Sequence, residues 1–347
     1  MTSPFTPPTA ECIGVRVLGA TGSVGQRFVA LLAEHPWFEV RAVCASERSV
    51  GRPYRDAVRW IQDEPIPAAI AEMEVTPCEP TNTAALAFSA LDADVATDIE
   101  RACARAGEHV VSNARSHRME PDVPLLVPEV NPGALELLAT QDRGPGKIVT
   151  NPNCSTIGLT LALAPLERAF GVERVHVVTL QALSGAGLTG PTGYETTDNV
   201  IPFISGEEDK LVIETAKIFD REIPVSAACN RVGVIDGHSM CVSVTLGSNP
   251  SAADIEDAWR PYRRAPQELA LPSAPERPIV VLDDADGPQP RKHRELEKGM
   301  ATVVGRLRPC ELLGWKFVGL SHNTLRGAAG GSILAAELAL ARGAIGV

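Results

Sequence analysis

The stretch Gly14-Val-Arg-Val-Leu-Gly19-Ala-Thr-Gly22-Ser-Val-Gly25 decides the fold class of this chain. Its first half reads as a short buried strand, and Gly19, Gly22 and Gly25 form a G-x-x-G-x-x-G turn. Gln26 to Glu34 then has helical periodicity, with Phe28, Leu31 and Leu32 on one face, and His35-Pro36 ends it. A second strand is predicted at Glu39–Ala45. Strand, glycine turn, helix and strand make one βαβ unit. Glycine lets the backbone approach an anion closely, and a helix start offers free N–H groups and a favourable dipole to a pyrophosphate. The plainer alternative is a tight turn without a ligand; the three glycines and the flanking elements favour a dinucleotide.

The end of the second strand selects the nucleotide. An acidic residue there would take the ribose hydroxyls, and an Arg with hydroxyls a 2′-phosphate. The run is Ser46-Glu47-Arg48-Ser49. Glu47 keeps NAD open, whereas Arg48 between Ser46 and Ser49 favours NADP. Alternation continues with a strand at Ala85–Ala90, a helix from Val95 to Ala106 closed by Gly107, and strands at His109–Ser112 and Lys147–Thr150. Repeated βα alternation predicts a doubly wound parallel sheet. Beyond it, Val175–Leu183, Met240–Leu246, Ile279–Leu282 and Thr302–Leu307 read as strands of an α+β unit with a largely antiparallel sheet. Gly327 to Ala341 is small-residue-rich and helical, and is expected to return to the first sheet. The expected division is 1–153 for the dinucleotide, with residues 1–11 a loose tail, 154–324 for catalysis and dimerisation, and 325–347 as the returning helix.

Lys plus Arg number 32 against 43 Asp plus Glu, a formal charge of −11, which argues against nucleic acid as partner. Hydrophobic residues at 44% and charged residues at 22% exclude disorder of the whole chain. No run approaches the roughly 18 apolar residues of a membrane span, and the first residues lack the pattern of a signal peptide. The eight cysteines are scattered with no Cys-x-x-Cys pair, so neither a metal site nor a disulfide framework is signalled. A reducing cytoplasm is the expected compartment.

Asn151-Pro-Asn-Cys154-Ser-Thr-Ile-Gly158 follows a predicted strand and precedes the apolar helix Leu159–Ala169. A cysteine near a helix start has a lowered thiol pKa, which favours the thiolate. Ser155 and Thr156 are candidate caps for that helix. Cys154 is therefore a candidate nucleophile, with an inert core thiol as the alternative. His238, in Arg231-Val-Gly-Val-Ile-Asp-Gly-His238-Ser, is a candidate base on a loop edge, and only the fold can bring the two together.

Taken together, the motifs resemble the aspartate-β-semialdehyde dehydrogenases of archaea and fungi. The matching pieces run from Gly19 to Gly331. They are the glycine turn, Ser112-Asn-Ala-Arg-Ser-His-Arg118-Met, Val127-Pro-Glu-Val-Asn131, Asn151-Pro-Asn-Cys154-Ser-Thr, Gln181-Ala-Leu-Ser-Gly-Ala-Gly187, Gly206-Glu207-Glu-Asp-Lys210, Arg231 with His238, and His322-Asn323-Thr-Leu-Arg-Gly-Ala-Ala-Gly330.

The resemblance implies NADPH-dependent reduction of L-aspartyl 4-phosphate to aspartate 4-semialdehyde with release of inorganic phosphate, by a homodimer or homotetramer. It makes Cys154 the nucleophile, His238 the general acid–base and Gln181 an orienting residue, with Asn153 beside the oxyanion. It assigns Arg231 to the substrate α-carboxylate, Glu207 to the α-amine, Arg118 and Lys210 to the phosphate, and Asn113 to the substrate pocket. Gly19, Thr21, Gly22, Ser23, Val24, Gly25, Ser46, Arg48, Ser49, Gly185, Ala186 and Asn323 would hold the cofactor. Taken alone, Glu207 and Lys210 could equally be a solvated helix-face pair, and Arg118 a surface residue. The chain departs from the family pattern at Gly233, at Ser239-Met240 and in the loop Leu188–Gly193, all expected near the substrate pocket. Malonyl-CoA reductase and N-acetyl-glutamyl-phosphate reductase share the nucleophile logic and are the alternatives, with a non-catalytic paralogue behind them. An amine-binding carboxylate at Glu207 has no purpose in malonyl-CoA chemistry.

Overall fold

The structure, a computed structural model, describes residues 12–81 and 84–346; the expected tail 1–11 lies outside them. Two sheets carry the fold. The first has five parallel strands: β1 (Ile13–Leu18), β2 (Phe38–Cys44), β3 (Leu86–Ser89), β4 (His109–Ser112) and β5 (Ile148–Thr150), in the order β2-β1-β3-β4-β5. An isolated parallel bridge between Cys44 and Thr76 lies on the outer side of β2. It occupies the place of the third strand in the six-stranded dinucleotide-binding order.

Side chains alternate across this sheet. Val15, Val17, Leu86, Phe88, Val111 and Val149 face one core with Phe28, Val29 and Leu32 of helix α1 (Ser23–Leu32). Leu18, Ala87, Val110 and Ile148 face the other, with Cys103 and Ala104 of helix α2 (Ala93–Arg105). Covering both faces is what a buried parallel sheet requires. Arg16 also points to the second face. It is held there by a bidentate bond to Glu108, at 2.7 Å from each oxygen, and by the carbonyl of Glu79 at 2.8 Å.

Helix α3 (Cys154–Phe170) leads from β5 into the second sheet. That sheet comprises β6 (Val172–Gln181), β7 (Val225–Arg231), β8 (His238–Leu246), β9 (Ile279–Leu282), β10 (Thr302–Cys310) and β11 (Gly314–Ser321), in the order β7-β6-β8-β11-β10-β9. β6, β8, β11 and β10 pair antiparallel; the edge strands β7 and β9 pair parallel. Helix α4 (Glu207–Phe219) sits between β6 and β7 in the chain. The strands β7 and β11 carry no clear sequence signal. β7, Val-Ser-Ala-Ala-Cys-Asn-Arg, is small and polar, and its pairing with β6 sets its conformation.

The chain ends in helix α5 (Gly330–Ala341), buried from Gly330 to Leu340. A helix apolar all round belongs in a core, and Ile333, Leu334 and Leu338 pack with α1 and the first sheet. Its one buried acid, Glu337, accepts from the Ser273 amide (3.1 Å) and His35 Nε2 (2.8 Å). A π turn at Leu325–Ala329 precedes it, in which the Gly327 and Ala329 amides donate to His322 and Thr324 carbonyls. π turns of this kind concentrate at functional sites.

Candidate active site

The ends of both sheets meet at one cleft of about 520 Å3, lined from Gly22-Ser23-Val24 at one end to Cys154, Glu207 and Lys210 at the other. Register explains the convergence in the second sheet. Gln181 at the end of β6 pairs with Arg231 at the end of β7, and His238 at the start of β8 pairs with Ser321 at the end of β11. β5 delivers Asn151, Asn153 and Cys154 to the same place.

Cys154 is the first residue of α3, and its cap is Asn153, not Ser155 or Thr156 as the sequence suggests. The Asn153 carboxamide oxygen accepts from the Ser155 amide (3.0 Å) and the Thr156 amide (3.4 Å). The Ser155 and Thr156 hydroxyls turn inward instead, since both residues are buried against the core. The first turn is tightly enclosed. A Cβ on Gly327 would lie 2.7 Å from Cys154 Cβ, and one on Gly158 would lie 2.8 Å from Ser321 Cβ.

Cys154 Sγ is 3.3 Å from His238 Nε2. The Ala182 amide donates to His238 Nδ1 at 3.0 Å, so the ring proton sits on Nε2 and faces the sulfur. Burial first, then the charges of Arg231 and the neighbouring His322, push the imidazole down to about 3. The thiol is likewise neutral. Burial first and then Glu207 push it up to about 12, against Arg118, Arg231 and Lys210. This runs against the thiolate expected from helix position: for the half-buried Cys154, desolvation and the charge of Glu207 outweigh the helix start. The alkylation rate of the ligand-free chain by iodoacetamide at Cys154 is therefore expected to climb about tenfold per pH unit from pH 7 through pH 9. A plateau near pH 7 would show a preformed thiolate instead.

A charged cluster faces the thiol. Both oxygens of Glu207 accept from Asn153 Nδ2 (3.0 Å each), and the carboxylate also accepts from Gln181 Nε2 (3.3 Å) and Lys210 Nζ (2.7 Å). Burial pushes the Glu207 carboxyl upward, but Lys210, Asn153 and Gln181 outweigh it and hold it below the usual range. Arg118 donates to Glu214 Oε1 and to the Asn113 carbonyl, both at 2.8 Å. Arg231 donates to the Ala182 carbonyl at 2.6 Å and lies under Gly185, where a Cβ would come within 3.1 Å of its Nη1. Asn113 Oδ1 accepts from Asn151 Nδ2 at 3.1 Å and Ser332 Oγ at 3.2 Å. Neither the surface reading of Arg118 nor the solvated pair reading of Glu207 with Lys210 survives, because Arg118 and Glu207 are both buried.

At the other end, Gly19 adopts φ +76° and lies so close to Ala90 that a Cβ would sit 2.7 Å from its carbonyl oxygen. Gly22 is the N-cap of α1 and brings no capping side chain, so the first amides of the helix stay open to an anion. Gly22, Ser23, Val24, Gly185, Ala186 and Asn323 line the cleft. Thr21 turns its carbonyl to Gln26 Nε2 at 3.0 Å, and Gly25 packs on Gly19. Ser46, Glu47 and Arg48 are exposed just after β2 and Ser49 is half-buried, and none of the four lines the cleft itself. These residues suit a dinucleotide carrying a 2′-phosphate. Asn323 bridges the two halves of the site, accepting from the Gly237 amide and donating to Ser184 Oγ, both at 2.8 Å.

The departures from the family pattern divide. Leu188 and Thr189 line the cleft. Met240 is a core residue packed near Gly158 and Gly319, and Gly233 lies against Thr196; neither lines the cleft itself. Sequence reading missed Glu214 and Lys217, although their spacing from Glu207 and Lys210 puts all four on one face of α4. It also missed the buried pair of Arg326 with Glu129.

Two family models match the chain: "Semialdehyde dehydrogenase, NAD binding domain" over residues 14–138, and "Semialdehyde dehydrogenase, dimerisation domain" over residues 163–326. An aspartate-semialdehyde dehydrogenase of Cryptococcus neoformans is 48% identical, covering 96% of this chain and 98% of that protein. One from Methanothermobacter thermautotrophicus is 46% identical, covering 94% and 98%. Among solved structures, the crystal structure of aspartate semialdehyde dehydrogenase with NADP from Candida albicans matches with a TM-score of 0.89. It is 43% identical and covers 96% of this chain and all of that one.

Proposed function

The chain belongs to the aspartate-semialdehyde dehydrogenase family, and from that membership we propose that it reduces L-aspartyl 4-phosphate to aspartate 4-semialdehyde with NADPH through a thioester on Cys154. It is an NADP-dependent oxidoreductase of amino-acid biosynthesis. The observation that carries the covalent step is the 3.3 Å approach of Cys154 Sγ to His238 Nε2 at the end of the nucleotide cleft.

The roles are those the family resemblance implies, and the grouping of these residues around Cys154 supports them. Arg118 and Lys210 hold the phosphate, Glu207 the α-amine and Arg231 the α-carboxylate, for which a planar fork is suited. Gln181 and Asn153 fix Glu207, and Asn113 supports Arg118 through its carbonyl. The Cys154 thiol attacks the acyl carbon, the C–O bond to phosphate breaks, and the thiol proton leaves with the phosphate, so the step balances. The Nε2–H of His238 hydrogen-bonds the sulfur whenever it carries charge, as it attacks and as it is expelled. For His238 also to take up a proton, Nδ1 has to part from the Ala182 amide. When bound, the reduced nicotinamide supplies the hydride that the thioester carbonyl accepts.

Residues 1–153 and 325–347 are assigned to the nucleotide and 154–324 to chemistry and to self-association as a homodimer or homotetramer. The match to a dimerisation domain supports association. Among the described residues all eight cysteines are free thiols and no helix is long and apolar enough to cross a membrane; the former supports a reducing cytoplasm. In the reverse direction, aspartate semialdehyde, phosphate and NADP should yield NADPH only when all three are present. NADPH formation without phosphate, or only with malonate semialdehyde and CoA or with N-acetylglutamate semialdehyde, would overturn the reading. Arg48→Ala should weaken NADP binding roughly tenfold or more and leave NAD binding unchanged, since one charge-assisted contact is lost. An unchanged NADP-to-NAD ratio in dissociation constants would remove Arg48 from cofactor selection.

A further inference from the structure

Helix α4 sends one more carboxylate into the site than the proposed chemistry uses. Glu214 is 2% exposed, and its two oxygens serve different masters. Oε1 accepts from Arg118 Nη1 at 2.8 Å, and Oε2 accepts from the Asn153 backbone amide at 2.7 Å. Asn153 is the cap of the helix that begins with Cys154. Three residues further along α4, Lys217 Nζ donates to the carbonyls of Arg118 (2.6 Å), Glu120 (2.7 Å) and Val123 (2.9 Å). An ammonium has three donors, and here all are spent on the segment that carries Arg118.

We propose that Glu214 is a positioning residue that locks the phosphate-binding arginine to the cap of the nucleophile's helix, with Lys217 anchoring the segment behind it. This rests on the reading of Arg118 as the phosphate ligand. The physical requirement is for two acceptors on one rigid group. Arg118 and Cys154 follow the paired strands β4 and β5, but both lie beyond the ladder, which ends at Ser112 with Thr150. Glu214 spans them. A carboxamide cannot replace it, because its NH2 must face either the guanidinium or the Asn153 N–H, and both are donors. Attack of sulfur on the acyl carbon of an acyl phosphate needs the phosphate held at a fixed distance from the sulfur, and this carboxylate supplies that constraint without touching the substrate.

The experiment is steady-state kinetics of the full chain in the phosphate-consuming direction, with Glu214→Gln, Arg118→Ala and the double variant. Glu214→Gln should raise KM for phosphate roughly 10- to 100-fold, the loss of a bond to a charged group. The dissociation constant for NADPH should stay within about twofold, a split that a general loss of structure would not produce. The double variant should be no worse in KM for phosphate than Arg118→Ala alone, because the first residue acts through the second. Multiplying effects, or an unchanged KM for phosphate, would overturn the inference. If Glu214→Gln does not fold, Glu214→Asp keeps two acceptors on a shorter arm and must show the same selective rise, and its absence counts equally against the inference. Alkylation of Cys154 by iodoacetamide needs no substrate, and Glu214→Gln should change its rate at least about threefold through the loosened cap. If the unaltered chain shows no phosphate-dependent turnover, the reaction assignment fails, and the alkylation arm still decides whether Glu214 holds the cap.

Discussion

Replacing Cys154 with serine should lower turnover by roughly a thousandfold or more while leaving the fold and NADPH binding intact. Serine fits the space, since it is smaller than cysteine and the tight contact with Gly327 involves Cβ, which both residues share. The hydroxyl is a far weaker acid than the thiol. The nitrogen hydrogen-bonded to Sγ, His238 Nε2, already carries a proton because Nδ1 accepts from Ala182. His238 in this tautomer therefore cannot take the hydroxyl proton, and the thioester cannot form. Steady-state turnover, NADPH fluorescence titration and thermal unfolding measured on one preparation check this. Turnover within tenfold of the unaltered chain would remove Cys154 from the mechanism.

The second large effect is expected away from the substrate. Arg326 and Glu129 are both wholly buried and form a bidentate pair, with Nη1 to Oε1 at 2.8 Å and a second bond from Nη2 to Oε2. Arg326 lies in the π turn, one residue before Gly327, and Glu129 lies in the Val127–Asn131 motif, so the pair pins the turn that presses on Cys154. Arg326→Leu leaves a buried carboxylate without its partner. It should cost about 3–5 kcal/mol of stability, seen as a large fall in the urea midpoint with turnover lost in parallel. The double variant Arg326→Leu with Glu129→Leu removes both charges and should recover most of the midpoint, because paired charges and an apolar replacement of similar shape are often near equal. An unchanged midpoint in Arg326→Leu would mean that the pair does not hold the turn.

Much of the site was legible before the fold was known. The glycine turn between a β-strand and a helix specifies the nucleotide end through local geometry alone. Cys154 after β5 was readable as a helix start, because strand and helix patterns are local too. Glu214 was not, since a Glu on a charged helix face reads as solvated until another element covers it. The strand β7, which delivers Arg231, was hidden because pairing rather than propensity makes it a strand. The hydroxyls of Ser155 and Thr156 looked like caps, but the helix begins at Cys154, which puts both inside its first turn and leaves the cap to the Asn153 carboxamide oxygen.

The layer order and the nucleotide turn were readable from short segments, through hydrophobic period and glycine placement, and residue chemistry nominated the reactive groups. The tertiary structure alone decided protonation and alignment. The neutral thiol, the Nε2–H tautomer of His238 and the shared carboxylate of Glu214 all depend on burial and on hydrogen bonds between residues far apart in the chain. Desolvation and hydrogen-bond direction have no local signature; they exist only once the two sheets have closed on the cleft.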